Sequence, residues 1–184
     1  MDSRGDRRIW HRDDLVAFFD GEVRLAVGAA MGLPEEALLR YLAEMLAHFA
    51  LVDHLYCIRT LEGRRLTEVA EMLMEGDIRL NARSFARERE VHRHIGDFTL
   101  FWTGMYPEAL PRLKSGTMDA LIDYVRQGKE SYYIASTFDL GRYRDEAPLF
   151  RTLSEQFETC MEGLRLLRRR WPPPYRDPGP SANA

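Results

Sequence analysis

The chain has 184 residues, 26 of them basic and 29 acidic, for a formal charge of −3. With 45% hydrophobic and 30% charged residues, it has the balance of one folded domain long enough to bury a core without disulfides. That composition excludes a disordered chain and gives no broad electrostatic attraction to nucleic acid or an anionic membrane.

The first predicted helix runs from about Asp14 to Met31, with Asp13 and Asp14 at its start, where negative charge suits the helix dipole, and Gly32 as its stop. Pro34 opens the second, with Glu35 and Glu36 in its first turn. Its apolar stripe is Leu38, Leu42, Met45, Phe49, Val52 and Tyr56, at three-and-four spacing. The apolar-rich stretch Leu38–Ile58 is broken by charged and histidine side chains, so it reads as a buried helix face and not as a membrane span. A shorter helix is predicted over Leu66–Glu75 and a longer one over Asn81–Tyr106, with a kink or break expected near Gly96. A fifth covers Met118–Phe138 and a sixth Leu149–Arg170. Residues 172–184 are rich in proline and read as a disordered tail after a single helical domain over residues 1–171. The expected fold is all-α, a compact antiparallel bundle of about six helices.

In such a bundle, chemistry shows as polar groups on faces that should be apolar. At 100° per residue, Glu22 falls among the apolar residues of the first helix, and His48 lies at the edge of the second stripe, one turn after Glu44. On the fourth helix, Glu88, His92 and Thr99 share the face of Val91, Ile95 and Phe98, while Glu90, His94 and Asp97 point away if the helix is regular. Lys129 and Tyr132 fall among the inward residues of the fifth. Glu44/His48 and Glu88/His92, with Glu22, are the residue types that hold a divalent metal between helices. The spacing of four, however, is not the Glu-x-x-His of di-iron bundles, and it also stabilises helices with no metal. An aromatic stripe around Phe98, Trp102 and Tyr106 reads as core, although beside His92 or His94 it could line a tetrapyrrole pocket.

Two resemblances bear on this stretch. Arg87-x4-His92 and Arg89-x4-His94 are similar in spacing to the Arg-x4-His of HEPN-type ribonucleases, whose Arg and His act on the RNA backbone. The Glu that follows each Arg here is poorly placed beside phosphate. The run from His94 to Gly104 resembles a His-x-Gly-Asp-x-x-Leu-Phe-x-x-Gly pattern of uncharacterised bacterial helical proteins, with a match over about residues 88–140. That resemblance implies a bacterial helical family and draws His94, Gly96 and Asp97 towards a pocket with Glu88 and His92. Cys57 and Cys160 form no C-x-x-C pair and fit a reducing cytoplasm, as does a polar N-terminus unlike a signal peptide. The favoured expectation is a cytoplasmic, non-enzymatic dimerising or adaptor protein, with a homodimer or protein partner and no nucleic acid or membrane. The alternative is a protein binding a metal or small ligand, a di-metal oxidoreductase in its most specific form.

Overall fold

The computed structural model describes residues 11–171. The predicted tail at 172–184 lies outside them. Among the described residues the regular elements are all helical, apart from one isolated bridge between Arg59 and Arg65. The α-helices are α1 (Arg12–Val23), α2 (Glu36–Phe49), α3 (Val52–Leu55), α4 (Val69–Gly76), α5 (Phe85–Met105), α6 (Leu110–Lys114), α7 (Tyr124–Ser136), α8 (Ala147–Glu155) and α9 (Phe157–Arg170). The all-α class therefore holds, with nine α-helices among the described residues where about six were expected.

The extra helices come mostly from splitting. The second predicted segment divides at Ala50–Leu51 into α2 and α3, so Val52 is exposed instead of continuing the stripe. The sixth divides at Gln156, whose ψ of 19° leaves the helical range, into α8 and α9. Helix α1 passes directly into a π-helical stretch, Arg24–Ala29. Its wider turn shifts the register, burying Val23, Ala26 and Val27 while Ala29 is exposed.

Helix α5 is the centre of the molecule, packing against α4, α7 and α9. From Val91 to Met105 every residue is buried except Arg93, which is exposed, and Trp102, which is half-buried. Ser84 caps its start, the hydroxyl accepting from the Arg87 N–H at 3.1 Å. The helix does not break at Gly96. A Cβ there would lie 2.6 Å from the Tyr132 ring, so the glycine allows α5 and α7 to approach. Gly128 serves the same crossing from the α7 side, where a Cβ would collide with Thr99 Oγ1. No helix among the described residues is long and apolar enough to cross a membrane.

Candidate functional site

The polar groups of α5 separate by direction. Asp97 is 8% exposed in the middle of the helix. Its Oδ1 accepts from two hydroxyls, Tyr41 of α2 at 2.7 Å and Tyr132 of α7 at 2.8 Å. Its Oδ2 accepts no hydrogen bond from the described residues, and Asp97 lines a cavity of about 210 Å³ between α2 and α5. Arg12, Tyr41, Glu44, His48 and Arg93 surround the same space. Burial pushes the Asp97 carboxyl up to about 6, against the opposing pull of Arg93 and the two tyrosines. The carboxylate in turn helps burial to hold the Tyr41 and Tyr132 hydroxyls well above their ordinary range.

Arg93 makes no ion pair among the described residues, and it stays charged in a setting of Asp97, Tyr41, Glu146 and Glu90. His48, half-buried, stacks on His54 at 3.9 Å between ring centroids. Burial, and then His54, lower its pKa. The His54 Nδ1–H donates to the His48 carbonyl at 2.8 Å and helps close the end of α2.

His94 lies one turn before Asp97 and makes a separate arrangement. Its Nε2–H donates to the Leu55 carbonyl at 3.1 Å, which assigns the lone pair to Nδ1. That nitrogen accepts from the Cys57 thiol at 3.5 Å. Burial brings His94 down to about 4 and raises the Cys57 thiol, so the pair is neutral thiol and neutral imidazole at pH 7.

Of the residues singled out in the sequence, Glu44, His48 and Asp97 share one cavity, with His94 beside it through the edge-on Phe49 ring. Glu88 and His92 are not in it. The Glu88 carboxyl is raised by burial and then by Asp77, and His92, taken down to about 4 by burial, sits 3.4 Å from Ser131 Oγ. A single pocket holding Glu88, His92, His94 and Asp97 therefore does not form. Glu22 is remote, 3.8 Å from Arg170. Lys129 pairs with Glu158 at 2.7 Å on the surface, while Tyr132 joins the Asp97 group from inside the core.

Among the described residues no three His, Cys, Asp or Glu side chains are placed to hold a metal ion. The Arg-x4-His pairs fare similarly, with Arg87 ion-paired to Glu75 and Glu90 and both histidines buried. Tyr41 and Arg93 were missed in the sequence, because a tyrosine at a stripe edge and an arginine among arginines carry no local signal.

A larger cleft beside α6 and α7 is lined by Tyr124, Leu110, Lys114 and Arg165. Its cations are already engaged with backbone carbonyls, Arg165 with Thr103 and Lys114 with Ile122. The chain matches no protein-family model, no curated protein and no solved structure.

Proposed function

We propose that the protein binds a small polar molecule in the cavity between α2 and α5, recognised by the unbonded oxygen of Asp97. The observation that supports this most is the placing of both tyrosine hydroxyls on Oδ1, which leaves Oδ2 without a donor from the described residues on a side chain that lines the cavity. A buried carboxylate costs stability unless its acceptors are filled, and a ligand donor fills this one. About 210 Å³ limits the ligand to a few non-hydrogen atoms. Carboxylates at Glu44 and Asp97 and guanidinium groups at Arg12 and Arg93 suit an amphoteric molecule, donor at one end and anionic at the other, of the size of a small amino acid.

A second reading draws on the same hydrogen bonds. Asp97 ties α2, α5 and α7 together, as a packing device would in a non-enzymatic dimerising or adaptor protein. The divalent-metal reading has less support, since Glu44, His48 and Asp97 share the cavity without converging as ligands.

Thermal-shift measurements with millimolar glycine, alanine, serine, acetate and ethylamine separate these readings. Binding predicts a rise in Tm with at least one of the three amino acids, lost in both Asp97→Asn and Arg93→Gln. No shift with any probe, or a shift that both variants retain, contradicts it.

A further inference from the structure

A further cleft of about 540 Å³, also lined by Arg93, opens at the start of α5. Its walls hold four arginines, Arg87, Arg89, Arg93 and Arg142, against two acids, Glu90 and Glu146. The acids are already used: Glu90 pairs with Arg87 at 3.1 Å, and Glu146 pairs with Arg89. Arg93 and Arg142 have no acidic partner among the described residues. Arg142 instead donates to the Tyr143 hydroxyl at 2.6 Å.

Two guanidinium groups lie over the one Tyr143 ring, Arg89 at 4.1 Å and Arg142 at 4.8 Å from its centroid. Cations crowd together this way only where something offsets their repulsion, and the ring quadrupole does so in part. Arg89 is the telling member. It is 6% exposed, and its Nε is buried with no hydrogen-bond partner. The N-terminal end of the 21-residue α5, at Ser84 and Ala86, forms part of the same wall and adds its partial positive charge.

We infer that this cleft is an anion site, and that it takes the phosphate group of a small phosphomonoester. Arg93 and Arg142, the two lining guanidinium groups with no acidic partner among the described residues, match a phosphate dianion. Forked guanidinium donors at Arg93 and Arg142, beside Arg89, match its several acceptor oxygens better than they match a single carboxylate. Among the described residues no carboxylate pairs with Arg93 or Arg142, and chloride offers no directed acceptors. The site is independent of the Asp97 reading, although Arg93 lines both cavities.

Isothermal titration at constant ionic strength tests this, with inorganic phosphate and glycerol 3-phosphate as probes and chloride as the control. Wild type should bind both phosphates saturably. Arg93→Gln and Arg142→Gln, both substitutions of exposed side chains, should each weaken binding at least tenfold while circular dichroism stays native. Asp97→Asn should leave phosphate binding intact, which distinguishes failure here from failure of the amphoteric-ligand reading. Phosphate acting no differently from chloride, or binding undiminished in both arginine variants, overturns the assignment.

Discussion

Asp97 and Asp119 are both buried, at 8% and 2% exposure, and both accept hydrogen bonds from tyrosine. They differ in how their oxygens are filled. Asp119 uses both: Oδ1 accepts from the Ala70 N–H, and Oδ2 accepts from the Val69 N–H and the Tyr124 hydroxyl. Two of those donors are the first free N–H groups of α4, so a residue 50 positions away in sequence caps that helix. Glu68 returns the contact by accepting from the Met118 N–H at 2.8 Å. Asp97 instead concentrates two donors on one oxygen, and the other has no donor among the described residues on a side chain that lines a cavity. Burial alone therefore does not separate a brace from a site. The state of the second oxygen does.

Asp119→Ala should lower unfolding free energy by about 4 kcal/mol in urea, since it strands two helix-end N–H groups and a buried hydroxyl. A loss under about 1 kcal/mol would show that water replaces the carboxylate and that Asp119 holds nothing.

The next effect is on pH dependence. His92 and His94 have folded values near 4 against an ordinary 6.5, so they remain neutral in the fold while the unfolded chain takes up protons. Each therefore removes about 3 kcal/mol as pH falls from 6.5 to 4. Asp97 is raised, so it acts in the opposite sense and returns part of that loss. These three groups together should lower stability by about 3 kcal/mol between pH 6.5 and pH 4, as read by denaturation at each pH. A flat profile would contradict the burial of the histidines.

Gly96→Ala sharpens the site side of the comparison. The added methyl meets the Tyr132 ring, which is fully buried and tied to Asp97, so it cannot move freely. The expected loss is about 2 kcal/mol by overpacking. A gain in stability would mean that α5 and α7 are free to separate at the Asp97 level. Lys129→Ala gives the smallest effect, under about 0.5 kcal/mol, because its pair with Glu158 is exposed and screened. A larger loss would place Lys129 in the polar core, as its sequence position implies.

Helical class and most helix positions were legible in the sequence, since apolar spacing repeats through α2, α4, α5, α7 and α9. The site was legible only in part. Glu44, His48, His94 and Asp97 were singled out, but a helical wheel turned His94 and Asp97 outward and called for a break at Gly96 to bring them in. No break was needed. A wheel assumes one wet face, and α5 has almost none, because α2, α4, α7 and α9 enclose it. The same wheel put Glu22 among the apolar residues of the first helix, where it is half-buried near Arg170 and away from the cavity. Asp119 gave no signal, because a cap supplied from 50 residues away has no local pattern.

On the proposed reading, Asp97 is a buried charge that the fold tolerates for the sake of the cavity, whereas Asp119 holds the fold together. The raised folded value of Asp97 means that it contributes stability in full below its ordinary value of 3.8, and that this contribution is lost as pH rises through about 6. The direct test is the unfolding free energy of Asp97→Asn relative to wild type, at pH 4 and again at pH 7. Asn keeps an oxygen for both tyrosines and removes the charge. The difference should move by about 2 kcal/mol in favour of the variant as pH rises. A difference that stays constant, or that moves in favour of the wild type, would make Asp97 a second brace like Asp119 and contradict the account.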